Sequence, residues 1–160
     1  MLLAKVRRRD SSSTISACEV LLELGRVAET RGDGPRSVEL YESALEACTS
    51  DEEAKSLQTR LRTAGKTSLL NRLLTARLDA ASTPRERAFV LSELADLRET
   101  SEEFDEALEY RIEAVESAPE FAEFHEAADA LCRRLDKLSV YEGLLQRLNA
   151  NARPLSLIHI

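Results

Sequence analysis

Ser101-Glu102-Glu103-Phe104-Asp105-Glu106-Ala107-Leu108-Glu109-Tyr110-Arg111-Ile112-Glu113-Ala114-Val115-Glu116-Ser117-Ala118-Pro119 is the stretch that decides the fold. Phe104, Ala107, Leu108, Ala114 and Val115 recur at the three-and-four spacing of one helical face, while Glu106, Glu109 and Glu113 fall on the other. Ala107 and Ala114 lie seven residues apart on the apolar face. Side chains that small let a second helix approach closely, so the stretch reads as one arm of a tight antiparallel hairpin. Working outward, the same hairpin is expected to recur along the chain.

The composition agrees. The chain has 160 residues, 43% of them hydrophobic and 32% charged, enough apolar material for a domain-sized core. Five Gly and four Pro leave room for long helices, and no runs of β-branched residues alternate with polar ones, so the class is all-α. A net charge of -7 disfavours a sequence-independent grip on nucleic acid, which needs basic side chains to displace phosphate counterions. Cys18, Cys48 and Cys132 are odd in number and far apart in sequence. They match neither a disulfide framework nor a Cys-x-x-Cys metal spacing, and are expected to be reduced packing residues in a cytoplasmic setting. No apolar run is long enough to span a membrane, and the N-terminal apolar residues precede Arg7-Arg8-Arg9, the reverse of a secretion signal.

Three segments follow from the pattern: an N-terminal arm over residues 1–14, a helical region over 15–150, and a tail over 151–160. The first helix is expected from Ile15, with Val20, Leu21, Leu24, Val27 and Ala28 as its apolar stripe. Gly32-Asp33-Gly34-Pro35 breaks it and starts a second helix whose face is Val38, Tyr41, Ala44 and Leu45. Ser50 or Asp51 caps a third helix, and Gly65 turns the chain into a fourth carrying Leu69, Leu70, Leu73, Leu74 and Leu78. Ser82-Thr83-Pro84-Arg85-Glu86 is a capped restart of a fifth. The stretch quoted above is the sixth, and Phe121 to Leu135 and Leu138 to Leu148 supply the last pair, split near Asp136. The expected total is eight helices in four hairpins.

Leu24-Gly25 and Leu94-Ala95 are 70 residues apart, as are Ala44 and Ala114, and Leu45 and Val115. Two periods of 35 mean stacked helix pairs that bury their apolar faces against neighbours. With Leu24-Gly25, Tyr41, Ala44 and Leu45 in one copy and Leu94-Ala95, Phe104, Ala107, Ala114 and Pro119 in the other, the chain resembles the tetratricopeptide repeat family over roughly residues 16 to 150. It differs from the family pattern at Leu21 and Leu91, at Ala28 and Arg98, and at Ser37. The resemblance implies an α-α superhelix, or solenoid, of about four hairpins with a concave groove lined by the first helix of each. By position, the groove-facing candidates are Leu22, Arg26 and Glu29, then Ser92, Asp96 and Glu99, then Glu126, Ala130 and Arg133. The implied role is a non-enzymatic scaffold that holds a peptide segment or partner helix, with no cofactor. The alternatives are a regulatory region of a larger protein bearing an enzyme or sensor domain, and an RNA-binding helical repeat, which the acidic charge disfavours.

Near-motifs for catalysis fail on spacing. Gly65-Lys66-Thr67-Ser68 lacks the upstream glycine of a phosphate loop, which Arg60 replaces, and is expected to be a hairpin turn. His125-Glu126-Ala127-Ala128-Asp129 lacks a third zinc ligand. Glu102, Glu103, Asp105 and Glu106 complement a helix N-terminus, and Phe121 and Phe124 are expected to close the core of the last hairpins. Leu155-Ser156-Leu157-Ile158-His159-Ile160 resembles the translation of an adapter sequence from sequencing libraries and is expected to lie outside the fold. On that reading the repeats continue beyond Arg153, and Leu144, Leu145 and Leu148 are left partly exposed to favour self-association.

Overall fold

The computed structural model describes residues 14–158, so the expected arm lies outside the described residues except for Thr14, as do His159 and Ile160 at the end of the tail. Eight helices run through the described residues: α1 (Ala17–Thr30), α2 (Gly34–Ala47), α3 (Asp51–Thr63), α4 (Thr67–Ala80), α5 (Pro84–Thr100), α6 (Phe104–Ser117), α7 (Ala122–Arg134) and α8 (Leu138–Ile158). No strand occurs among them. The chain divides into two compact units, one ending at Leu73 and the other beginning at Leu74. In the first, α1 packs on α2 and both pack on α3; in the second, α5 packs on α6, α6 on α7 and α8, and α7 on α8.

Side-chain caps start several of these helices. Ser16 caps α1 and Ser50 caps α3 in reciprocal boxes with Glu19 and Glu53, Asp33 accepts from the Arg36 amide at α2, and Thr83 accepts from the Glu86 amide ahead of Pro84 at α5. Four turns inside the helix pairs share one geometry. Gly32, Glu102, Gly65 and Asp136 have φ values of 75°, 61°, 68° and 56°. The residue after each donates its amide back five positions: Asp33 to Ala28, Lys66 to Leu61, Glu103 to Arg98 and Lys137 to Cys132, at 2.8 to 2.9 Å. Each turn therefore satisfies the orphan carbonyls of the helix it closes. Gly65-Lys66 is such a turn, as its sequence led one to expect.

Small residues set the helix spacing. Gly25, Ser37 and Ala44 are buried in the first hairpin, and Ala95, Ala107 and Ala114 stand at the same places 70 residues on. Ser37 satisfies its buried hydroxyl by donating to the Gly34 carbonyl at 3.0 Å. In the second unit Ala88, Leu91, Ala114, Val115, Ala118, Phe124, Ala128 and Leu144 form one core cluster, with Leu78, Phe121 and Tyr141 against it. Phe89, Phe121 and Phe124 meet with ring centroids 5.2 to 5.8 Å apart, so both expected aromatics do close this core.

Three expectations need correcting. In α1 the buried stripe is Cys18, Leu22, Gly25 and Ala28, while Val20 and Leu24 are exposed. The helix is apolar on most of its sides, and the face is chosen by the close approach of Tyr41 to Gly25, a signal that counting leucines does not carry. In α2 the same pull buries Ser37 and Leu40 and leaves Val38 and Leu45 half-buried. In α8, Leu144 is fully buried, Leu148 is half-buried and, of these three leucines, Leu145 alone is exposed; the helix also runs past Leu148 and Pro154 to Ile158, there being no glycine between Leu144 and Pro154 to stop it.

Candidate functional site

The inner faces of the two best-formed hairpins are held by one polar clamp in two chemical versions. In α1/α2, Tyr41 is fully buried and its hydroxyl donates to Glu29 Oε2 at 2.8 Å. Burial first, and then Glu29, push the Tyr41 hydroxyl up from its ordinary pKa, so it stays a donor. In α5/α6 the equivalent of Tyr41 is Arg111, 70 residues later, and the equivalent of Glu29 is Glu99. The Arg111 guanidinium donates to Glu99 Oε1 at 2.9 and 2.7 Å, to Asp96 Oδ1 at 2.6 Å and to Ser92 Oγ at 3.0 Å. Burial opposes its charge, but Asp96 and Glu99 outweigh that and raise its pKa. Arg111 is thus a buried cation neutralised by the first helix of its own hairpin.

This places the sequence-predicted residues. Ser92, Asp96 and Glu99 are brought together, but around Arg111, so they are not free charges for a ligand. Leu22 is buried in the first unit, a correction that follows from the rotated face of α1. Arg26 pairs with Glu23 at 3.0 Å, and Glu29 is taken by Tyr41. Glu126, Ala130 and Arg133 share the exposed side of α7, where Arg133 also pairs with Asp129 at 2.9 Å. Sequence reasoning missed Arg111, although the signal was present: a cation falls where the first copy has Tyr41, with a glutamate twelve residues before it in both.

The acidic start of α6 is likewise engaged. Arg98 reaches Glu103 and Glu106 at 2.9 and 3.0 Å, and Lys137 reaches Asp105 at 2.6 Å. His125 lies 2.8 Å from the Pro119 carbonyl and 3.1 Å from the Tyr141 hydroxyl, which ties α7 to its neighbours as a packing residue. An open depression beside α6 is lined by Asp105, Leu108, Glu109, Ile112, Lys137 and Val140.

Residues 20–55 match the family described as tetratricopeptide repeat. The helix hairpins are tetratricopeptide-like. Solved structures of MamA share the fold: MamA AMB-1 at 20% identity and TM-score 0.55, covering 98% of this chain and 86% of that one; MamA MSR-1 at 20% and 0.54, covering 93% and 83%; and MamA from Desulfovibrio magneticus RS-1, residue 41 to the end, at 18% and 0.52, covering 94% and 80%. No curated protein sequence matches the chain. In tetratricopeptide-like terms the clamp residues Tyr41 and Arg111 occupy one position of the second helix, and Glu29 and Glu99 one position of the first.

Among the described residues, one cluster could hold a metal. Cys18 of α1, Cys48 at the end of α2 and Glu53 of α3 offer ligand atoms all within 4.8 Å of one another. All three cysteines are free thiols, and Cys18 and Cys48, far apart in sequence, meet when the hairpin closes. Burial, with Cys48 and Glu53 adding to it, pushes the Cys18 thiol up to about 12. Hydrogen bonds from the Ser16 hydroxyl first, then from the Thr49 amide, hold Glu53 down to about 2. Among the described residues, no helix is long and apolar enough to cross a membrane.

Proposed function

We propose that the chain is a non-enzymatic interaction module that holds a peptide segment or helix of a protein partner on the first helices of its hairpins. The observation behind this reading is the exposed side of α7, where Glu126, Ala130 and Arg133 stand in a row on a helix whose other face is fixed in the core. A row with a small residue between an acid and a base suits a mixed-charge segment, with charge fixing register more than affinity. Glu29 on α1, and Asp96 and Glu99 on α5, are secondary contacts, since each holds a buried group of its own hairpin, and Arg26 on α1 is half-buried where Arg133 is exposed. The test is capture by the full chain carrying Glu126→Lys and Arg133→Glu. Loss of partners held by the unaltered chain, at unchanged melting temperature, is the expected result; retention of all of them removes α7 as the interface.

Self-association is a second reading, favoured by apolar residues left on outer faces. Val20 and Leu24 on α1 are 46% and 43% exposed, and Leu145 on α8 is 41% exposed. Sedimentation across a concentration series should show association in the unaltered chain and a shift toward monomer in Leu24→Glu. A chain that is monomeric at every concentration would remove this reading.

A further inference from the structure

We propose that Cys18, Cys48 and Glu53 form a binding site for a soft divalent cation of the zinc class. Three successive elements converge there: the first turn of α1, the C-terminal end of α2 and the first turn of α3. Ligand atoms within 4.8 Å of one another are close enough for two sulfurs and one carboxylate oxygen to share an ion with little movement. Two thiolates and one carboxylate are the donor set that zinc accepts and that magnesium or calcium does not. Glu53 also sits in a helix first turn, where aligned amides favour a negative ligand.

The second unit supplies an internal comparison. Seventy residues on from Cys18 and Cys48 stand Ala88 and Ala118, both fully buried and both in the core cluster that contains Phe124. The hairpin therefore closes this corner with methyl groups when closure is all that is needed. In the first unit the same corner carries two sulfurs; the glutamate beside it recurs as Glu123 one residue before Phe124, so the paired thiols are what set the first unit apart. Cys48 and Glu53 are half-buried, so an ion can enter from solvent, and a water can complete a four-coordinate shell. Glu53 Oε2 accepts from the Thr49 and Ser50 amides at 2.7 and 3.2 Å, which orients the carboxylate beside the two sulfurs. Each thiol gives its proton to solvent as its sulfur takes the ion.

The test uses the full chain, reduced and stripped of metal, titrated with cadmium as a spectroscopic stand-in and then with zinc as competitor. One cadmium per chain with a sulfur-to-metal charge-transfer band, displaced by zinc, is expected. Cys18→Ala with Cys48→Ala should abolish the band while melting cooperatively, because alanines fill the equivalent corner of the second unit; Cys132→Ala should keep it. Glu53→Gln, which can still cap α3, should weaken binding without removing the band. A reduced chain that takes no stoichiometric cadmium overturns the proposal. So does a band that survives the double alanine variant, or a Cys18–Cys48 disulfide that persists in the reductant and shuts out the ion.

Discussion

Hairpin α1/α2 and hairpin α5/α6 are built on the same frame, 70 residues apart, and differ in how they fill it. In the first, a glycine at 25 admits an aromatic ring, Tyr41, whose hydroxyl reaches Glu29. In the second, alanine at 95 stands opposite an arginine, Arg111, that reaches Glu99, Asp96 and Ser92. The carboxylate of the first helix recurs, while the group that answers it changes from a neutral donor to a cation. Small residues at three positions thus fix how near the helices come, and the polar clamp is free to vary as long as the buried donor is satisfied.

The largest expected contrast is at Leu24 and Leu94, which share a repeat position but are 43% and 1% exposed. Leu94→Ala should cost about 2 to 5 kcal/mol by leaving a cavity, whereas Leu24→Ala should change stability by about 0.5 kcal/mol or less. Denaturant unfolding of the two variants checks this. Equal losses would mean that Leu24 is covered in solution, as the self-association reading requires.

Next comes the clamp of α5/α6. From sequence, reversing Asp96 and Glu99 to lysine is expected to disturb binding and leave melting alone. The structure changes that outcome, because two lysines would face a guanidinium whose side chain is only 9% exposed. The double variant should lose about 3 kcal/mol, near the lower end for a broken buried pair because Asp96 is itself 58% exposed. Thermal unfolding of the double variant beside Glu126→Lys with Arg133→Glu, which should melt normally, separates a structural acid pair from surface charge.

A third contrast is smaller. A Cβ at Gly25 would stand 2.5 Å from Tyr41 Cε1, so Gly25→Ala must displace the ring and should cost about 1 to 3 kcal/mol. Adding Tyr41→Arg would copy the alanine and arginine of the other hairpin and should recover part of that loss, a coupling that a double-mutant cycle measures. Strict additivity would show that the two clamps are not interchangeable.

Helix count, order and most boundaries were legible because capping residues and the glycine turns act locally: Ser50, Thr83-Pro84, Gly32 and Gly65 each do in the structure what their chemistry requires. Faces were legible where apolar residues occupy one side only, as with Ala107, Leu108, Ala114 and Val115 of α6. They were not legible in α1, where Val20, Leu21, Leu22 and Leu24 surround the helix and the choice depends on a ring contributed by α2. The clamp and the thiol cluster were missed for the same reason. Arg111 reads as a surface charge until the acids of α5 are placed beside it, and Cys18 meets Cys48 only once the hairpin closes.

The smallest expected effect concerns the turns, where the two hairpins again solve one problem with different residues. Gly32 and Glu102 both have positive φ, and only glycine adopts that region without strain. Beyond its own residue and its two chain neighbours, nothing lies within 4 Å of where a Cβ on Gly32 would stand, so Gly32→Ala should lose about 1 kcal/mol from the backbone alone. Glu102→Gly should run the other way and stabilise by about 0.5 to 1 kcal/mol, the relieved strain exceeding the extra freedom gained by the unfolded chain. Asp136→Gly should gain less, because a short polar side chain tolerates this region better than glutamate does. Urea midpoints for the three variants give the order directly. If Glu102→Gly lowers the midpoint, the left-handed conformation at Glu102 is held by its side chain, and the two turns are not equivalent after all.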